Sequence, residues 1–284
     1  MLHSNGLSSY GFAYNNFGSN PLSGATITPV TGSKGSWAEV ASSASLTQDC
    51  YWFYLGEWAP TTDTGVVKNT LYDIGVDPAG GTSYTAIISD MQIGSSFGMT
   101  GTSGAQRNFL FPFFVKAGSS VAARAQTDDA TPNTTRVVMA FWGQPSRPEN
   151  VPVGMFSETL GTLSGSKGQS FTPGNAADGT WADFGTTTKN LWWWQMGHGL
   201  DNTAFAAEYV YIDVAWGDAT NKHLIFRTQH SGGANEELGC TLYQNMLACA
   251  SYQPVPAGSN IYVRGRCNNA PDTGYHATVI GIGG

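Results

Sequence analysis

Apolar, aromatic and β-branched residues occur along the chain in short runs, and Gly, Pro, Asn or Asp lies at most of their ends. This pattern is typical of β-strands joined by tight turns. Eleven such runs predict strands, at Tyr51–Leu55, Leu71–Val76, Tyr84–Ile88, Phe109–Val115, Ser120–Gln126, Arg136–Trp142, Leu191–Met196, Tyr209–Trp216, His223–Arg227, Ser259–Arg266 and His276–Ile280. The one segment with a helical pattern, Glu236–Ala250, is weakened by Gly239. We therefore expect an all-β fold.

The second part of the chain repeats the first at an offset close to 140 residues. Ala117–Arg124 recurs as Ala257–Arg264, and Tyr51–Gly56 recurs as Trp192–Gly197. Three weaker matches follow the same order, pairing Gly35-Ser36-Trp37 with Gly179-Thr180-Trp181, Asp73–Val76 with Asp213–Trp216 and Ile87-Ile88 with Leu224-Ile225. A nearly constant offset over five matches indicates an internal duplication.

The duplication sets the predicted domain boundaries. Residues 25–143 and 158–284 are predicted to be two tandem antiparallel β-sandwich domains of the jelly-roll type. Residues 144–157 contain three prolines and are predicted to be a stiff linker. Residues 1–24 are predicted to be an N-terminal arm outside the repeat.

Four aromatic residues make the arm a candidate interface. They are Tyr10, Phe12, Tyr14 and Phe17. A segment with little other apolar content cannot bury much surface by itself. We expect the arm to lie on a neighbouring subunit; the alternative is that it packs on its own domain or stays mobile.

Composition and charge exclude several classes of protein. The 36 glycines and the charged fraction of 12% argue against a helical bundle, and the aromatic fraction of 12% argues against a disordered chain. The 13 Lys and Arg residues are scattered and the net charge is −7, so nucleic-acid binding is not expected. We expect neither a membrane span nor a secretory signal, because no apolar run has the necessary length or flanks.

No motif for catalysis, cofactor binding or metal binding stands out. Nucleophile elbows, phosphate loops and helical histidine pairs are missing from the sequence. A glycosidase needs two carboxylates about 5 to 10 Å apart, whereas Asp73 and Asp213 belong to different repeats. Because Arg124 and Arg264 are repeated as well, we expect an ion pair inside each unit or a polar anchor for loops. The sequence thus predicts a non-enzymatic protein without cofactors.

The run Trp192, Trp193 and Trp194 has two interpretations. In a strand, Trp193 faces one side and its two neighbours face the other. We expect these rings to lie in the core or at an interface, and a glycan-binding platform is the alternative.

The four cysteines, Cys50, Cys240, Cys249 and Cys267, form no Cys-x-x-Cys pair. Without such a pair or a visible signal for secretion, we expect buried thiols rather than disulfides.

Several strings in the first repeat resemble a module of virion structural proteins from tailed bacteriophages. They are Tyr72–Gly81, Ile87–Asp90 and Phe111–Gln126, of which the second repeat keeps Ile212–Val214 and Val255–Arg264. The resemblance implies a virion component made in the host cytoplasm, such as a capsid decoration or cement protein or a head–tail accessory subunit. It implies major capsid or other virion proteins as partners and a dimeric or trimeric homo-oligomer, without nucleic acid or membrane.

Two other classes of function stay open. A host-recognition protein of the tail or fibre would bind a host glycan, and an exposed tryptophan row would favour it. A polysaccharide depolymerase would need a cleft with two carboxylates within about 10 Å.

Overall fold

The structure, a computed structural model, describes residues 11–16, 24–58, 68–95, 106–130, 132, 134–143, 153–161, 165–200, 208–232, 254–268 and 275–284. These residues contain strands and no helix, so the all-β fold is confirmed. We call residues 11–143 the first half and residues 153–284 the second half. The predicted helix at 236–250, most of the linker, and Tyr10, Phe17, Cys240 and Cys249 lie outside the described residues.

The first half forms two sheets. The ten strands are β1 (Gly11–Asn15), β2 (Ala25–Ile27), β3 (Val30–Thr31), β4 (Ala38–Ala41), β5 (Cys50–Trp58), β6 (Lys68–Asp77), β7 (Thr85–Ser95), β8 (Gln106–Phe111), β9 (Ser120–Thr127) and β10 (Thr135–Gly143). Sheet I has the order β1-β10-β5-β8, with β2 also paired to β10, and sheet II has the order β3-β9-β6-β7, with β4 also paired to β9.

The second half also forms two sheets. The nine strands are β11 (Phe156–Leu160), β12 (Gln169–Phe171), β13 (Gly174–Asn175), β14 (Ala182–Thr186), β15 (Trp193–Leu200), β16 (Glu208–Gly217), β17 (Lys222–Gly232), β18 (Asn260–Cys267) and β19 (Tyr275–Gly283). Sheet III has the order β11-β19-β12, with β15 also paired to β19, and sheet IV has the order β13-β18-β16-β17, with β14 also paired to β18.

Each half has a sandwich-like arrangement, because the two sheets contribute side chains to one shared core. In the first half, Phe53 of sheet I and Ile74 of sheet II belong to the same buried cluster. In the second half, Trp194 of sheet III and Val214 of sheet IV share a cluster. Burial of apolar area on this scale is the main driving force for the fold.

Strand pairing in the second half follows that in the first half, except that β8 has no counterpart among the described strands of sheet III. Asp73 pairs with Arg124 between β6 and β9, and Asp213 pairs with Arg264 between β16 and β18. The short parallel pairs β3·β9 and β13·β18 also correspond. The predicted domain boundaries themselves stay a prediction, although residues 156 and 157 begin β11 rather than ending the linker.

One detail of the predicted repeat is wrong. Ile74 pairs with Ile88 and Val214 pairs with Phe226, so Ile88 corresponds to Phe226 and not to Ile225. The reason is an irregularity in each hairpin that shifts the register of strand pairing. The sequence pattern of a short apolar run is too weak to show where such a shift occurs. All eleven predicted strands contain paired residues, but the short strands β2–β4 and β11–β14 were not predicted.

Residues 11–15 of the predicted arm follow the alternative expectation, that the arm packs on its own domain. β1 pairs antiparallel with β10 of its own half, and β11 pairs in the same way with β19. Tyr14 lies 6.2 Å from the ring of Phe141, and its hydroxyl donates to the Val40 carbonyl at 3.3 Å. Residues 11–15 are therefore an edge strand of sheet I, because the backbone of β10 offers an unpaired edge there.

The outer face of sheet III packs against the first half. Trp193, Ile280 and Ile282 of sheet III belong to the core cluster of the first half. The hydroxyl groups of Ser157 and Thr159 donate to backbone carbonyls of β7, at Ile87 and Ser89, with an O···O distance of 2.5 Å in each case. Edge strand β7 is thus covered by side chains of the second half, which protects its unpaired backbone groups.

Candidate functional site

The strongest cluster of charges in the first half lies on the outer face of sheet II. Asp73 is buried and accepts from Arg124 Nε at 2.8 Å and from Lys34 Nζ at 2.7 Å. Lys34 Nζ also lies 2.8 Å from the Asp90 carboxylate, and the Asp90 amide donates to Asp73 at 2.9 Å. The Arg124 guanidinium covers the Trp37 ring at 4.4 Å. A buried carboxylate with this many donors is fully compensated.

The second half contains the corresponding cluster on the outer face of sheet IV. Asp213 is buried and lies 2.5 Å from Arg227 Nε and 3.0 Å from Arg264 Nη2. Arg264 also pairs with Asp178 at 2.8 Å and covers the Trp181 ring at 4.4 Å. The expected ion pair between the repeated Asp and Arg residues is therefore present in both halves.

Electrostatics oppose a catalytic role for Asp213. Burial alone would raise the pKa of this carboxyl group, but the hydrogen bonds and charges of Arg227 and Arg264 outweigh burial and hold the pKa below its usual value. A general acid needs the opposite shift. Because both carboxylate oxygens accept from arginine, the group is also poorly placed as a nucleophile or base.

A cavity of about 580 Å³ opens beside the second cluster. Exposed Tyr211, Arg266 and Asn268 line it together with Arg227 and Asp178. Tyr211 is 41% exposed although it lies in the middle of sheet IV. An exposed aromatic ring on a sheet face often marks a contact surface.

The corresponding surface of the first half is closed. Leu71 has the position of Tyr211, and its paired neighbours Gln92 and Gln126 correspond to Gln229 and Arg266, to which Tyr211 is paired. Leu71 and Gln92 are both fully buried. The second half covers them, since Gln126 donates to Ser166 at 3.3 Å.

Gln92 makes the central polar contact between the halves. Its amide nitrogen in the backbone donates to the Thr278 hydroxyl at 3.0 Å, and its side-chain oxygen accepts from the Gly168 amide at 2.8 Å. The side-chain nitrogen donates to Asn69 Oδ1 at 2.8 Å. Gly197 lies against the Gln92 carbonyl so closely that a Cβ atom at 197 would collide with it. The two backbones therefore meet at a position that excludes larger residues.

The tryptophan run lies mostly inside the protein. Trp194 is fully buried in the core of the second half, and Trp193 is 3% exposed and packs into the core of the first half. Trp192 is half-buried, and the Trp193 ring lies 5.3 Å from Trp52. These positions agree with the expected core or interface role and offer no open stacking platform on Trp193 or Trp194.

The remaining predicted site residues have separate positions. Phe12 lies in β1 at the edge of sheet I, and the Tyr14 side chain packs on the first core as described above. Within the described ranges, no group of three or more His, Cys, Asp or Glu side chains is arranged to hold a metal ion. No helix in the described part of the chain is long and apolar enough to span a membrane.

Sequence reasoning found the repeated Asp and Arg residues but missed their partners. The match of Trp37 with Trp181 could be seen in the sequence, but the contact of each tryptophan ring with an arginine could not. Lys34, Asp90, Asp178 and Arg227 differ between the repeats, so a search for identical residues passes over them. Gln92 carries no local pattern that would single it out.

Comparison with known proteins gives weak likenesses. No protein-family model matches the chain, and no curated protein matches it. Among solved structures, a structure of PNGF-II is similar at 9% identity and a TM-score of 0.39, covering 96% of this chain. The cowpea mosaic virus top component, an empty particle, is similar at 8% identity and a TM-score of 0.33; the alignment covers 91% of this chain and 86% of the viral chain. This chain spans 65% of the PNGF-II chain.

Proposed function

We propose that the chain is a non-enzymatic structural subunit of a bacteriophage virion, as a capsid decoration or cement protein or a head–tail accessory subunit. The observation that carries the proposal is the way in which the two halves are fastened together. Sheet III covers edge strand β7, and Gln92 is buried between the halves with hydrogen bonds to residues of both. Such an interface favours a rigid unit that presents fixed surfaces to neighbours.

The charge clusters support the same proposal. Asp73 and Asp213, the repeated carboxylates, are each held by two cations in ion pairs. These ion pairs tie neighbouring strands of each sheet together and occupy the carboxylate oxygens with hydrogen bonds from cationic side chains. The low charged fraction of 12% leaves a surface suited to protein contacts.

The test is the composition and structure of purified particles. Virions of the encoding phage, purified on a density gradient and washed in high salt, should contain the chain at a fixed copy number by quantitative mass spectrometry. A cryo-EM map of these particles should show the pair of sandwiches at a repeated position, in contact with capsid or neck proteins. Recovery of the chain solely from the particle-free lysate would contradict the proposal.

A further inference from the structure

The interface between the halves joins two different surfaces. The acceptor surface is the edge of strand β7 together with the adjoining outer face of sheet II around Leu71, Gln92 and Gln126. The donor surface is the outer face of sheet III, where Thr278 pairs with Gly197 across β19 and β15. An interface between unlike surfaces of repeated units is heterologous, and a heterologous contact can be continued by a further unit.

The second half presents its own acceptor surface, and the described residues leave it open. Tyr211, Gln229 and Arg266 stand where the first half has Leu71, Gln92 and Gln126. All three are exposed, whereas Leu71 and Gln92 are fully buried. The cavity of about 580 Å³ lies on this surface.

The first half presents the matching donor surface. Gly56 pairs with Val138 across β5 and β10, as Gly197 pairs with Thr278. The glycine is therefore present in both halves at the position where, in the second half, the Gln92 backbone makes its close approach. Gly56 itself is buried, because the side chains of Val138 and Tyr54 close over it; these two half-buried side chains, and not the glycine backbone, therefore offer apolar surface to a partner.

We infer that a second copy of this chain docks on the acceptor surface of the second half through the donor surface of its first half. The contact uses between chains the same two kinds of sheet surface that join the halves within one chain. Tyr211 then lies against the region of Val138 and Gly56 of the second copy, and Gln229 and Arg266 supply hydrogen bonds at the margin. The inference goes beyond the proposed function, because a monomer bound to other virion proteins would still be a structural subunit.

Complementation between two variants tests the inference. Tyr211→Asp places a charge on the acceptor surface, and Val138→Arg places a bulky cation on the donor surface. Light scattering after size exclusion, over about 1 to 100 µM, covers the range of ordinary protein affinities. The wild-type chain should form dimers or larger species as concentration rises, and each variant alone should remain a monomer. An equimolar mixture of the variants should recover a dimer, because one intact acceptor and one intact donor remain.

Controls separate loss of contact from loss of folding. Thr220→Asp adds the same charge at an exposed turn of the second half and should associate like the wild type. Circular dichroism and thermal melting should show that all variants are folded. A monomeric wild-type chain would overturn the inference and leave the acceptor surface to another virion protein or a host glycan. Association that neither variant weakens, or a mixture that stays monomeric although each variant lost association, would also overturn it.

Discussion

Lys34 and Asp178 occupy the same position in the two halves, three residues before the tryptophan that covers an arginine, and they carry opposite charges. Lys34 pairs with Asp73 and with Asp90 of β7, whereas Asp178 pairs with Arg264. The second half obtains its other cation from β17, as Arg227. Each cluster thus has two carboxylates and two cations. The residues around the buried aspartate therefore differ between the halves, but the balance of positive and negative charges around it is kept.

The exchange of charges predicts a compensating pair of substitutions. Lys34→Asp should lower the free energy of unfolding by about 2–4 kcal/mol, because Asp73 loses one cation and gains a like charge; removing one partner of a fully buried pair costs about 3–5 kcal/mol. Asp90→Arg should also destabilise. The double variant should recover part of the loss, with a coupling energy on the order of 1–3 kcal/mol. Urea unfolding of the four proteins measures the cycle, and strict additivity would contradict the prediction.

Gln92 and Gln229 form a natural control pair, because they occupy the same position and differ in burial. Gln92→Leu removes the acceptor for the buried Gly168 amide and a donor to Asn69. Each buried group that loses its partner should lower the free energy of unfolding by about 1–3 kcal/mol. Gln229→Leu should change the free energy of unfolding by less than about 0.5 kcal/mol, as is usual on a surface. Equal effects of the two substitutions, measured by chemical denaturation, would show that Gln92 does not secure the interface.

The strands and the repeat could be predicted from the sequence because both depend on local pattern. Runs such as Leu71–Val76 have a period of two and definite turn signals, and β6 contains all of that run. The repeat identified the Asp73 and Arg124 pair because the same residues recur at Asp213 and Arg264.

The contacts between the halves could not be predicted, because they join residues that lack any shared pattern. Gln92 and Thr278 are far apart in sequence, Thr278 corresponds to Val138 in the other repeat, and the counterpart of Gln92, Gln229, is exposed. The pairing of β1 with its own half could not be predicted for a related reason: β1 and β11 occupy equivalent edges with different sequences, Gly11–Asn15 and Phe156–Leu160. A search for similar residues cannot detect two strands that correspond in backbone pairing alone.

Gly197 and Gly56 make a second matched comparison. In Gly197→Ala the new Cβ atom would collide with the Gln92 backbone, which cannot rotate away. In Gly56→Ala it would meet side-chain atoms of Val138 and Tyr54, which have freedom to move. Gly197→Ala should therefore cost at least the 1–3 kcal/mol that is typical of overpacking, and Gly56→Ala about 1 kcal/mol or less. Thermal unfolding checks the order, and a larger effect at Gly56 would contradict it.

Thiol reactivity should report on burial of the cysteines. Burial, with a smaller contribution from the charge of Asp49, raises the pKa of the Cys50 thiol to about 12. Because the thiolate is the reactive form, Cys50 should resist alkylation at pH 8 in the folded protein. After unfolding in denaturant without a reducing agent, all four cysteines should react. Mass spectrometry of the alkylated peptides identifies each site, and rapid labelling of Cys50 under native conditions would contradict the structure.

Acid should weaken the second half through Asp213. The pKa of this carboxyl group is lowered in the folded protein, since Arg227 and Arg264 stabilise its charged form, while the unfolded chain has the ordinary value of 3.8. A lowered folded pKa contributes stability that is fully present above the unfolded pKa and is lost as the pH falls through the folded pKa. Asp213→Asn should reduce the free energy of unfolding near neutral pH by about 1.5–3 kcal/mol, the usual net value of hydrogen bonds to a charged group. The difference between wild type and variant should shrink between about pH 5 and pH 2, because the wild-type carboxylate becomes neutral there.

The control is Asp218→Asn. Asp218 lies in the exposed turn between β16 and β17 and takes part in no ion pair with arginine among the described residues, so we expect the smaller effect there. A constant difference across the pH range would mean that the arginines hold Asp213 by geometry alone and not by its charge.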